Sequence, residues 1–138
     1  MVAQIKVLIV DDNFRARESL KSLLATWPHV EEIREAKDGM EALALVAQSP
    51  PDLLLMDAHM PIMDGIEATQ TIKSLWPQVQ IIVLSMFPEY RTRALFAGAQ
   101  AFTSKADLAA QLGAILAAVT NFEKQNNWPL EGKSMRKG

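Results

Sequence analysis

Leu53-Leu54-Leu55-Met56-Asp57, an unbroken apolar run closed by a carboxylate, decides how this chain folds. Nothing in it alternates between apolar and polar, so both faces of the strand must be covered. That is the signature of a strand inside a parallel sheet. The same form recurs on either side. Ile5-Lys6-Val7-Leu8-Ile9-Val10 runs into Asp11-Asp12, Ile81-Ile82-Val83-Leu84 stops at Ser85, and Ala101-Phe102-Thr103-Ser104 stops at Lys105. Helical patterns separate the runs, so the strands point the same way and their polar ends emerge on one edge, where α/β folds place ligands.

Between the strands, Asn13 can cap a helix with Ala16, Leu20, Leu23, Leu24 and Trp27 on one face, ended by Pro28. Val30 to Ala36 reads as a second, more polar strand near the sheet edge. Asp38-Gly39 opens a second helix with Met40, Leu43 and Val46 or Ala47 inward, stopped by Ser49-Pro50-Pro51. A third helix starts near Asp64-Gly65, buries Ile66, Ile72 and Leu75, and ends before Pro77. A short helix from Glu89 to Ala97 is closed by Gly98 as its C-terminal cap. The last, from Asp107 to about Asn121, carries Leu108, Leu112, Ile115, Leu116 and Val119. Five strands alternating with five helices predict an α/β fold: a doubly wound, five-stranded parallel sheet with helices on both faces. Residues 1–121 form the domain, and 122–138, mixing Asn, Pro, Gly and Lys, read as a flexible tail or the start of an interdomain linker.

With 138 residues the chain is one domain by length. A net charge of -2 gives no general reason to expect nucleic acid or an anionic membrane as partner. The absence of cysteine excludes disulfides, thiolate metal sites and thiol catalysis. No run reaches membrane-spanning length and the N-terminus lacks a signal peptide's apolar stretch, so a cytoplasmic setting is expected.

Singly, each strand-end residue has a structural reading: Asp11 and Asp12 as helix caps, Ser85 likewise, Lys105 as a solvated side chain. Together they form a constellation. Asp11, Asp12 and Asp57 repel one another with no arginine expected near them, and a bound cation relieves that repulsion. Hard oxygen ligands without a His or Cys cluster favour Mg²⁺ over Zn²⁺. Mg²⁺ uses one or two carboxylates plus phosphate oxygens, which leaves one aspartate as a nucleophile. Ser85 can donate to a phosphoryl oxygen, and Lys105 can pair with it as a point charge.

Val10-Asp11-Asp12-Asn13, Ala36-Lys37-Asp38-Gly39-Met40-Glu41-Ala42-Leu43, Leu55-Met56-Asp57, Met60-Pro61-Ile62-Met63-Asp64-Gly65, Leu84-Ser85, Ala97-Gly98-Ala99 and Lys105 resemble the response-regulator receiver domain of two-component signalling, with its CheY-like, flavodoxin-like fold, over residues 4–120. The Leu84-Ser85-Met86 and Ala97-to-Phe102 segments are similar to receivers of NarL/FixJ-type transcription regulators, which often carry a C-terminal helix-turn-helix. The resemblance implies that Asp57 accepts a phosphoryl group from a sensor histidine kinase or phosphotransfer protein. It implies that Asp11, Asp12, Asp57 and the backbone carbonyl of His59 hold Mg²⁺. Ser85 would move toward the phosphoryl group, Lys105 would pair with it, and Phe102 would be the switch aromatic. The output surface would be the Glu89 helix, the Ala101 strand and the last helix, where a homodimer can form and where Tyr90, Arg91 and Arg93 stand exposed.

Three residues depart from the family pattern. Phe102 replaces a tyrosine, so the switch works by packing alone. Ala106 follows Lys105 where relatives have the proline that favours a cis peptide. Met86 is bulky and is expected to restrict access to Asp57, while His59 and Phe87 flank the site mouth and are expected to set the acyl phosphate's lifetime. Two other classes remain open at this point. A non-phosphorylated interaction module on the same fold typically lacks a site residue, whereas all are present. A Mg²⁺-dependent aspartyl phosphohydrolase usually wants its nucleophile on the first strand with a second aspartate two residues on, where this chain has Asn13.

Overall fold

Five strands lie side by side in the order β2-β1-β3-β4-β5, all parallel, in the computed structural model, which describes residues 4–125. The strands are β1 (Ile5–Val10), β2 (Val30–Ala36), β3 (Leu53–Asp57), β4 (Gln80–Ser85) and β5 (Ala101–Ser104). The helices are α1 (Phe14–Ala25), α2 (Gly39–Gln48), α3 (Gly65–Leu75), α4 (Arg91–Phe96) and α5 (Leu108–Gln125). Residues 126–138 of the expected tail lie outside the described residues.

Successive side chains of each inner strand go to opposite layers. Ile5, Val7, Ile9, Leu53, Leu55, Ile82 and Leu84 pack with Leu24 of α1 and with Leu108, Leu112 and Ile115 of α5. Leu8, Val10, Leu54, Met56, Ile81 and Val83 pack with α2, α3 and α4 through Val46, Ile72 and Ala94. Both faces are covered, as the unbroken apolar runs require, and β2 is the polar edge expected. Each of the first three helices opens on a side-chain cap. Asn13, Asp38 and Asp64 accept from the backbone N–H groups of Ala16, Glu41 and Glu67 at 2.9, 2.8 and 2.8 Å.

The structure corrects the inward faces in two places. Met40 and Leu75, expected in the core, are 54% and 62% exposed. In α2 the close approach of Gly39 to Met63 turns the stripe Gly39, Ala42 and Val46 inward. In α3 the helix ends at Leu75, and Trp76 packs against the core instead. The short helix begins as a 3₁₀ turn at Pro88–Tyr90 before α4. Gly98 closes it at φ 111, where the Gly98 and Ala99 N–H groups return to Leu95 and Ala94 at 3.1 Å each. The last helix extends to Gln125, because no proline or glycine interrupts Asn121-Phe122-Glu123-Lys124-Gln125.

Candidate functional site

The pairing of β1 with β3 sets Val10 beside Met56, so Asp11 and Asp57 leave the sheet as neighbours. Carboxylate oxygens of Asp11, Asp12 and Asp57 all fall within 4.8 Å of one another. β5 carries Lys105 to the same edge, where its Nζ lies 2.8 Å from Asp11 Oδ2 and 3.3 Å from Asp57 Oδ1. Asp11 and Asp57 are buried and Asp12 is exposed. Three carboxylates facing one ammonium leave an unbalanced negative charge on partly desolvated groups.

That imbalance appears in the proton affinities. Burial raises the Asp57 carboxyl to about 6 from 3.8; the Asp11 charge adds to the rise and Lys105 opposes it. For Lys105, burial works against the charged form, but its contacts with Asp11 and Asp57 outweigh burial and raise its pKa. The donor set suits a hard divalent cation, being three convergent carboxylates without sulfur or imidazole. Asp11 is held by the Asn13 N–H, which donates to its Oδ1 at 2.9 Å.

Gly65 explains why the loop after β3 is so constrained. A Cβ there would stand 1.9 Å from the Asp57 carbonyl oxygen, so only a glycine lets α3 start against the Asp57 backbone. The Gly65 N–H donates to the Ala58 carbonyl at 2.9 Å. Within the same loop Ile62 has φ 71, and the Met63 N–H donates to the Pro61 carbonyl at 2.8 Å. This is a positive-φ γ-turn, strained for a β-branched residue.

Ser85 is buried one residue beyond the Asp57–Leu84 register pair, and its Oγ accepts the Phe87 N–H at 2.9 Å. Phe102 is buried in the layer containing Val83 and Ala94. The Lys105–Ala106 peptide is trans, as are all peptides among the described residues. Met86, expected to restrict access to Asp57, is 70% exposed. His59 is exposed, and its Nδ1 lies 3.2 Å from the Tyr90 hydroxyl, while Phe87 meets the Tyr90 ring edge-on with centroids 6.4 Å apart. Tyr90, expected to stand exposed on the output face, is instead half-buried against the core, where it contacts both His59 and Phe87.

One residue escaped the sequence reading. No arginine was expected near the acids, yet Arg17 of α1 donates from NH1 to the Asp11 backbone carbonyl at 2.8 Å. A signal existed: α1 has Arg15 and Arg17 near its start and no acid in its first turn, against the preference of a helix N-terminus for negative charge.

Comparison with known proteins agrees with this geometry. The family model described as the response regulator receiver domain matches residues 7–117. The chain is 42% identical over 103 residues to the response regulator protein VraR of Staphylococcus aureus, covering 73% of this chain and 49% of that protein. It is 36% identical over 104 residues to the transcriptional regulatory protein DegU of Brevibacillus brevis, covering 74% and 44%. The chain therefore spans about half the length of these relatives. Among solved structures, a LuxR-family two-component response regulator from an Aurantimonas species superposes with TM-score 0.78 at 30% identity, over 85% of this chain and 86% of that one. The receiver domain of a putative response regulator NarL from Mycobacterium tuberculosis gives TM-score 0.78 at 28% identity, over 85% and 97%.

Proposed function

The chain belongs to the response-regulator receiver family, and from that premise we propose that it is a phosphorylatable switch whose acceptor is Asp57. The observation that carries this reading is the meeting of Asp11, Asp12 and Asp57 within 4.8 Å, with Lys105 reaching both buried aspartates. An Asp57 oxygen forms a bond to phosphorus as the phosphorus–nitrogen bond of a donor phosphohistidine breaks. The electron pair stays on the imidazole nitrogen, which takes a proton from solvent. With a pKa of about 6, Asp57 is mainly ionised at pH 7 and thus available as the nucleophile. Asp11, Asp12, Asp57 and the His59 carbonyl would hold Mg²⁺, which supplies charge neutralisation to the phosphoryl oxygens.

Lys105 balances the added charge, and the Ser85 hydroxyl, whose oxygen accepts from the Phe87 N–H, turns to donate its own proton to a phosphoryl oxygen. That rotation moves the β4–α4 segment against Phe102, and the α4–β5–α5 face changes its contacts with a partner or a second copy. Sensor histidine kinases or phosphotransfer proteins are the donors, in the cytoplasm. Transcription control is the output of the whole protein, a reading supported by the names of its relatives. Among the described residues no helix is long and apolar enough to cross a membrane.

Intact mass after incubation with Mg²⁺ and a small acyl-phosphate donor tests the reading. One added phosphoryl group is expected on the parent and none on Asp57→Asn. A parent that binds Mg²⁺ yet gains no mass from either a small donor or a phosphohistidine protein refutes it.

A further inference from the structure

We propose that Arg17 is a positioning residue of the cation site, fixing the Asp11–Asp12 peptide so that both carboxylates meet Asp57. The inference rests on the reading of Asp11, Asp12 and Asp57 as that site. Arg17 stands on α1, six residues past Asp11, and is largely buried, its side chain 14% exposed. Its guanidinium makes two directed contacts. NH1 donates to the Asp11 carbonyl at 2.8 Å and Nε to Glu35 Oε1 of β2 at 2.9 Å. The outer face of the guanidinium lies 5.7 Å from the centre of the Phe14 ring.

The Asp11 carbonyl belongs to the peptide that joins the two acids, so holding it fixes where Asp12 leaves the strand. The other ends of Asp11 are also fixed. Its N–H donates to the Ala36 carbonyl at 3.1 Å, and its Oδ1 accepts from the Asn13 N–H at 2.9 Å. Asp12 itself is exposed, and its carboxylate has to be aimed through the backbone.

A cation beside a cation site would ordinarily weaken binding. Here Glu35 balances it, and the second Glu35 oxygen takes Lys21 Nζ at 2.8 Å, while Lys21 also meets Glu18 at 3.1 Å. Two cations against two anions leave this group neutral. Arg17 can therefore supply rigid geometry without repelling a divalent ion. A lysine would keep the charge but has no planar fork to reach both Asp11 and Glu35. Outer partners that orient metal ligands commonly control affinity by about tenfold or more.

The test is Mg²⁺ titration by calorimetry of the chelator-stripped parent, Arg17→Ala, Arg17→Lys and Glu35→Gln, with urea unfolding of each protein in chelator. Both Arg17 variants should bind Mg²⁺ about tenfold more weakly. Lysine should restore part of the unfolding midpoint lost by alanine without restoring affinity, and Glu35→Gln should fall between parent and Arg17→Ala. If Arg17→Ala does not fold, Arg17→Lys and Glu35→Gln carry the test. Affinities unchanged within twofold, with only the unfolding midpoints moved, would make Arg17 a purely structural tie and overturn the proposal. A parent that binds no Mg²⁺ overturns the cation site and this inference together.

Discussion

Asp57→Asn should stabilise the metal-free protein, because the Asp57 carboxylate is ionised at a cost. The Asp57 side chain is 9% exposed and its carboxyl is raised from 3.8 to about 6. A rise of roughly two pH units corresponds to about 3 kcal/mol lost at neutral pH. The attraction of Lys105 Nζ, 3.3 Å away, already lowers that figure, so asparagine, which stands in for the neutral acid, recovers the whole of it. The gain is therefore about 3 kcal/mol, or a rise in Tm of about 9 °C for a domain of this size.

The sign of the pH dependence follows from the raised value. Between the unfolded pKa near 3.8 and the folded value near 6 the folded state binds more protons, so rising pH removes stability across that window. The parent loses this stability and the variant does not. Urea unfolding in chelator, followed by tryptophan fluorescence, should therefore show a gap that is small at pH 4.5 and full at pH 7.5. Mg²⁺ should narrow the gap at pH 7.5 by stabilising the parent in proportion to its occupancy. Equal stabilities at pH 7.5, or a gap of the same size at both pH values, would refute the reasoning.

Three other substitutions probe the scaffold. Gly65→Ala places a Cβ 1.9 Å from the Asp57 carbonyl oxygen, and should cost about 3 kcal/mol or more in urea unfolding and abolish phosphorylation by displacing Asp57, the proposed acceptor. Arg34 donates to the Leu45 and Ser49 carbonyls at 3.2 and 2.5 Å, closing the C-terminal end of α2. Arg34→Ala should lose about 1.5 kcal/mol, with faster amide exchange confined to the last turn of α2. Ile62 is 80% exposed at φ 71, so Ile62→Gly should remove strain with little packing loss and raise stability by up to about 1 kcal/mol, read from the unfolding midpoint.

Most of the architecture was legible because it follows from local rules. Apolar runs without alternation meant strands covered on both faces, and Asn13, Asp38 and Asp64 announced helix starts that the structure realises as side-chain caps. The inward faces were less legible. Met40 and Leu75 satisfy helical periodicity, but a helix's rotation about its axis is set by the neighbours it packs on, and Gly39 against Met63 made that choice in α2.

The candidate site divides in the same way. Which residues stand at the strand ends is a property of the sequence, since a parallel sheet must deliver Asp11, Asp57, Ser85 and Lys105 to one edge. How they meet is a property of the folded chain. Lys105 lies 94 positions from Asp11 yet 2.8 Å from its carboxylate, and the raised Asp57 carboxyl exists only once burial has removed its water. Arg17 was invisible for the same reason. Its partners are a carbonyl at the end of β1 and a carboxylate on β2, brought together by the crossover of α1. Local pattern determined the elements and their polar ends, because hydrophobic period and capping act over a few residues. Distances, burial and charge balance were decided by tertiary structure, because they arise between residues that only the sheet makes neighbours.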